Sequence, residues 1–190
     1  MKTDSALKEW PAAIEALSEG NTILLLRKGG IHERGSSFQL PTKEAILFPT
    51  FEHQKTEMLK QAPSTNSKFK AYELGELIPI STWVKFIKSW EISSIEQIKA
   101  LTPFHIWTEE FILKRFNWKP ERPLFLIACE AFKLKSPQSI PFQPKYRGCK
   151  SWIQLETSID LADSVKALPS EKLNSQLQVI QEVYQSMPSH

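Results

Sequence analysis

The chain has 190 residues, 41% of them hydrophobic and 24% charged, with a formal net charge of +3. This is the profile of a soluble globule with enough apolar material for a real core, and its mild basicity neither requires nor excludes a nucleic-acid partner. Two cysteines without a CxxC spacing argue against a paired thiolate metal site, and no apolar run approaches the roughly 20 residues of a membrane span. The opening MKTDSALKEW has no signal-peptide core, so the expectation is a cytoplasmic protein with reduced thiols and no membrane partner.

Taken in chain order, Pro11 suits the first turn of a short helix through Ala12, Ala13, Ile14, Ala16 and Leu17, with Gly20 as its stop. Residues 22–26 form a continuous apolar run, which predicts a central strand. A short return strand is expected at 38–40, and an apolar segment at 45–48 stopped by Pro49. Residues 52–61 predict a helix with Met58 and Leu59 facing inward, residues 62–70 a loop, and residues 72–80 a strand broken at Gly75. Trp83, Phe86, Ile87 and Trp90 recur at i, i+3, i+4, i+7, the pattern of an amphipathic helix.

Ser94 and Gln97 fit a capping box that opens a helix to Leu101. Thr108 caps a third helix whose Phe111, Ile112, Arg115 and Phe116 share a side, with Trp118 just beyond. Residues 124–134 begin as a buried strand and continue in alternation. Three prolines in 136–144 predict an extended connection, and residues 151–155 a strand in the same sheet. Residues 170–187 predict a C-terminal helix striped by Leu173, Leu177, Ile180 and Tyr184. This order does not alternate as βαβα, and no linker splits it. The expectation is one domain over 1–190, of α+β class, with a small mixed or mostly antiparallel sheet and several flanking helices.

Polar chemistry concentrates in a few places. The apolar run at 22–26 breaks into Arg27, Lys28, Gly29 and Gly30, followed by His32, Glu33 and Arg34. The glycine pair permits positive φ and close backbone approach, and Arg27 and Lys28 beside it can grip phosphate. A hairpin turn with solvated charges is the simpler reading of the same residues. His32–Glu33 and Glu52–His53 are carboxylate–imidazole pairs suited to acid–base work, but chain neighbours in a strand point to opposite faces. Without HExxH or a ligand cluster, no metal or other cofactor is expected. His53 has the better functional case, since it follows a Pro-Thr turn and has Gln54 and Lys55 beside it; the alternative is a capped helix start with Glu52 near its N-terminal dipole.

From 114 to 150 there are nine Lys and Arg against two Glu, whereas from 151 onward two Lys face five acids. Within the basic stretch Tyr146, Arg147, Gly148, Cys149, Lys150, Ser151 and Trp152 combine two cations, two aromatics and a glycine. Bases stack on such rings while cations hold phosphate. The same residues also suit a turn into a strand whose Trp152 is core. His105 lies between Phe104 and Trp107, which suits a boundary residue better than a catalyst, and Cys129 reads as a small buried hydrophobe.

The run LKEWPAAIEAL-x2-G-x2-ILLLRKGGI, with FPTFEHQ downstream and YRGCKSWIQL near the end, resembles domain-of-unknown-function family 1802, a bacterial family common in cyanobacteria. The likeness spans Leu7 to Leu161 and implies no activity. The helix followed by G-x6-R, here Gly20 to Arg27, also resembles the opening of ASCH and PUA-like RNA-binding domains, which implies a PUA-like barrel. In that pattern a lysine follows the glycine and a glutamate stands two before the arginine; this chain has Asn21 and Leu25 there, both less polar.

Three functions compete. The first is an RNA- or DNA-binding module in which Arg27, Lys28, Arg147 and Lys150 contact phosphate, Tyr146 or Trp152 stacks, and His53 lines the cleft. The second is an enzyme acting on a nucleotide or nucleic acid, with His53 and either Glu33 or Glu52 as base and acid. The third is a protein-interaction domain whose aromatics form a partner groove. Convergence of the loops carrying Arg27 and Arg147 favours the first two.

Overall fold

The computed structural model describes residues 1–28, 40, 42–52, 55–61, 72–148 and 150–187. Its strands are β1 (Lys2–Glu9), β2 (Leu24–Lys28), β3 (Glu44–Pro49), β4 (Leu77–Ile92), β5 (Leu124–Pro141), β6 (Trp152–Asp160) and β7 (Ser164–Lys166). Its helices are α1 (Pro11–Ser18), α2 (Ile95–Leu101), α3 (Glu109–Asn117) and α4 (Ser170–Ser186). All seven strands share one sheet in the order β2-β5-β4-β3-β1-β6, with β7 on β5. Every pairing is antiparallel except β1 with β3. The class is therefore α+β, with a mostly antiparallel sheet and a C-terminal helix.

The sheet curls. Leu7, Leu25, Leu47, Val84, Phe125 and Cys129, from five different strands, pack together with Ile14 and Leu17 of α1. A flat sheet cannot bring its two ends to one cluster; a curled one has an interior, and α1 fills it. At one end the Arg27 Nη2 on β2 donates to the Lys8 carbonyl on β1 at 2.9 Å, although no described ladder joins these strands. The outer face carries two further clusters. Leu24, Leu26, Trp90 and Leu126 lie beneath α2, α3 and α4. Phe48, Ile78, Trp83, Phe132, Phe142 and Tyr146 form the other, in which Trp83 and Phe132 stack with centroids 4.1 Å apart.

Both capped helices are built as their residues dictate. The Ser94 hydroxyl accepts the Gln97 N–H at 3.2 Å, and Gln97 Oε1 accepts the Ser93 N–H at 2.8 Å. The Thr108 hydroxyl accepts the Phe111 N–H at 3.3 Å. Gly20 ends α1 at φ +72°.

Several elements differ from the expectation. Trp83, Phe86, Ile87 and Trp90 lie on the 16-residue strand β4. Their helical spacing comes from an irregularity between Phe86 and Lys88. Phe86 pairs with interior Cys129, whereas Lys88 pairs with Ala128 of the outer cluster. Ile87 is the extra residue that reverses the alternation, and a reversed strand imitates a helical period over this distance. Among the described residues β2, expected as a central strand, pairs with β5 alone; it is apolar at its start because Leu25 faces the interior and Leu24 and Leu26 face the helices. Residues 136–141 continue β5 instead of leaving it, with Pro137 falling in the register shift between Lys133 and Gln138.

Of the helix expected at 52–61 only a 3₁₀ turn, Thr56–Met58, forms among the described residues. Leu59 is drawn into an extended bridge with Trp107. β1 was not foreseen at all. The return strand at 38–40, apart from Leu40, and the loop at 62–70 fall outside the described residues, as do Gly29, Gly30, His32, Glu33, His53 and Cys149.

Candidate nucleic-acid interface

Strand alternation on β1 sends Lys8 and Glu9 to opposite faces, and each organises a different site. Lys8 is only 5% exposed. Its ammonium donates to Glu52 Oε2 at 2.9 Å and to the Gly148 carbonyl at 2.7 Å. Glu52 Oε1 accepts the Gly148 N–H at 3.2 Å, and the Glu52 carbonyl accepts the Trp10 indole N–H at 3.1 Å. One cation thus fastens β1, the turn after β3 and the turn carrying Arg147. Charge-assisted bonds of this kind are the strong ones.

Beside this clamp lies a cleft of about 470 Å³, within the range that holds small ligands. Phe48, Phe51, Tyr72, Phe142 and Tyr146 line it, with Lys8, Thr50, Glu52, Arg147 and Gly148 as the polar part. The rings form a chain: Phe51 to Tyr72 at 5.6 Å, Tyr72 to Phe142 at 5.8 Å, and Phe142 to Tyr146 at 6.2 Å. The Arg147 guanidinium sits 5.6 Å from the Phe142 centroid. Burial pushes the Tyr72 hydroxyl up to about 12, with Glu76 adding to the effect, so it stays protonated and able to donate.

On the other face Glu9 is buried and pairs with Arg27 at 2.6 Å, while its second oxygen accepts the Trp10 N–H at 2.8 Å. Burial raises the Glu9 pKa, opposed by Arg27, by the Trp10 N–H and by Arg115 of α3. Burial lowers the Arg115 pKa, and the charge of Arg27 lowers it further. Glu9 thus bonds one guanidinium, that of Arg27, and feels the charge of a second, Arg115. Lys28 is also buried, its ammonium donating to the Phe116 carbonyl.

The structure brings together Glu52, Tyr146 and Arg147 of the residues singled out in the sequence. Tyr146 is a wall of the cleft and only 2% exposed, with its hydroxyl accepting the Glu156 N–H at 3.0 Å. Trp152 lies elsewhere, half-buried with its ring against Phe86 at 5.8 Å. Lys150 is exposed. Arg27 and Lys28 are engaged inside the protein, and Arg27 pairs with Glu9 on the face of β1 opposite the clamp that holds the Arg147 turn, so the two loops do not converge on one cleft. Sequence reading missed Lys8, Glu9, Tyr72, Phe142 and Arg115. The charged pair Lys8–Glu9 directly before a helix gives no local sign that both side chains are buried.

Among the described residues no group of three His, Cys, Asp or Glu side chains is placed to hold a metal ion. Among the same residues no helix is long and apolar enough to cross a membrane.

The fold and cleft define an α+β protein with an aromatic pocket bordered by Arg147. The chain belongs to the family described as a domain of unknown function, DUF1802, which matches residues 6–178. Among solved structures it is similar to a crystal structure of a mutant ZmASCH protein from Zymomonas mobilis, at 10% identity and a TM-score of 0.43, over 93% of this chain and 98% of that one. No curated protein matches the chain.

Proposed function

We propose that this protein is a nucleic-acid-binding module that receives a base in the aromatic cleft and holds the adjoining phosphates with Arg147 and Lys150. The observation that carries this reading is the cleft itself. Its chain of rings lines an apolar space for a base, and the exposed Arg147 guanidinium lies beside the Phe142 ring. Several lysines of the basic stretch are neutralised locally: Lys114 by Glu110, Lys135 by Asp163 and Lys145 by Glu156. Arg147 and Lys150 have no ion-pair partner among the described residues, which leaves their charge for a ligand. The proposed setting is the cytoplasm.

The test is fluorescence anisotropy with short DNA and RNA strands at two salt concentrations. Arg147→Ala with Lys150→Ala is expected to weaken binding at least tenfold and to flatten the salt dependence by about two phosphate contacts. Wild-type protein that fails to bind at low salt overturns the reading. Arg27→Ala is a poor probe, because it removes an internal ion pair.

The enzymatic alternative pairs His53 with Glu52. Glu52 is spoken for by Lys8 and the Gly148 N–H, which suits holding the Arg147 turn in place better than moving protons. Turnover of a nucleotide substrate that is lost in His53→Ala, with folding intact, would favour the enzyme.

A further inference from the structure

The end of α3 carries a second arrangement of rings and cations. Trp118, just past the helix, is 47% exposed. The Arg115 guanidinium lies 5.2 Å from its ring centroid and the Lys119 ammonium 4.6 Å. Neither cation has an ion pair within hydrogen-bond reach among the described residues, in contrast to Lys114 on the same helix, which pairs with Glu110. Lys119 adopts φ +50°, making it the one described residue other than glycine with positive φ. A proline follows it, which restricts its backbone further. That conformation costs about 1 kcal/mol or more, and it holds the ammonium over the indole.

Packing contacts link this corner to the cleft. Glu52 at the cleft bonds the Trp10 indole, and the Trp10 ring packs on Phe111 of α3 with centroids 5.4 Å apart. Phe111 and Arg115 are one helical turn apart, and the distance from Phe111 to Trp118 along the axis is about 10 Å. The link from cleft to corner runs through the Trp10 and Phe111 rings.

Resting on the nucleic-acid reading above, we propose that Trp118, Arg115 and Lys119 form a second stacking site, so that the ligand is a single strand spanning from the cleft to the end of α3. An exposed indole face needs an unstacked base, which a duplex does not offer, whereas cations beside the ring suit the phosphates on either side. On binding, a base takes the indole face and the two cations turn to the backbone.

The experiment titrates the protein with single-stranded DNA and RNA of about 12 nucleotides, within the range that one such domain covers, and with a duplex of the same sequence. Anisotropy gives affinity, and the Trp118 indole N–H resonance, assigned by its disappearance in Trp118→Phe, reports contact. Trp118→Ala is expected to weaken single-strand binding roughly tenfold, with Trp118→Phe retaining most of it. Lys119→Gly relieves the backbone strain and removes the charge, so it is expected to melt at a higher temperature yet bind more weakly, with a salt slope lower by about one contact. Unchanged affinity in Trp118→Ala together with loss in Arg147→Ala overturns the second site and leaves the cleft standing. Equal binding of the duplex overturns the single-strand assignment. Failure of every probe to bind wild type overturns both readings at once.

Discussion

Arg27 illustrates how one side chain is decided by its surroundings. Next to a glycine pair it reads as a phosphate grip, but β2 is curled toward β1 and the guanidinium meets Glu9. Breaking a buried pair from one side leaves the other charge stranded, which costs about 3 kcal/mol, whereas replacing both partners costs much less. Arg27→Met is therefore expected to lower the urea unfolding free energy by about 3 kcal/mol, and the double variant Glu9→Met with Arg27→Met to recover at least half of that. His105 makes a second residue-scale prediction. Burial and the nearby Lys60 charge lower its pKa from 6.5 to about 3. Between those values the unfolded chain takes up a proton that the folded one refuses, so stability falls as pH drops below about 6.5. Moving from pH 7 to 5.5 is expected to cost wild type about 1 kcal/mol more than His105→Leu, as read by urea unfolding at both pH values. Neither burial was visible in the sequence. A charge or an imidazole inside a protein is placed by contacts with distant segments, and no local pattern encodes them.

At the scale of elements, what was legible followed from rules that act over a few residues. The Pro11 and Gly20 boundaries of α1, the Ser94 and Thr108 caps, the apolar start of β5 and the stripe of α4 each rest on local backbone chemistry, and each was found where expected. β4 was misread because one inserted residue, Ile87, changes which face the following side chains occupy, and a count of apolar spacings cannot tell that from a helix. β1 escaped notice because KTDSALKE is mostly polar; it is a strand because β3 and β6 pair with both its edges. Of the site, the Tyr146–Arg147 turn was legible from composition, and the aromatic cleft it borders was not. Gly20 gives the prediction at this scale. A Cβ there would stand 2.7 Å from Leu168 Cδ2 and 2.8 Å from its Cγ, on a backbone that already requires φ +72°. Gly20→Ala is expected to destabilise by about 2 kcal/mol, measurable as a lower midpoint in thermal unfolding.

For the whole molecule, β1 and Trp10 link the two proposed contacts through packing: Trp10 bonds Glu52 at the cleft and packs on Phe111 of α3. β1 is bonded to β3 and β6, supplies Lys8 to the cleft, supplies Glu9 to the Arg27 and Arg115 cluster, and leads directly into Trp10. Its placement also sets a timetable. β1 is synthesised well before its antiparallel partner β6, which begins at Trp152. During translation that edge of β1 must wait, unpaired, until most of the chain has left the ribosome. Long-range pairings of this kind fold slowly and expose strand edges meanwhile. A chain released at residue 150 contains the segments of β1 through β5 but lacks β6, β7 and α4, and it is expected to associate through the bare β1 edge and the apolar face that α4 covers, visible as aggregates in sedimentation. The strand that contributes Lys8 to the proposed cleft is thus also one that leaves the nascent protein in need of protection while it is being made.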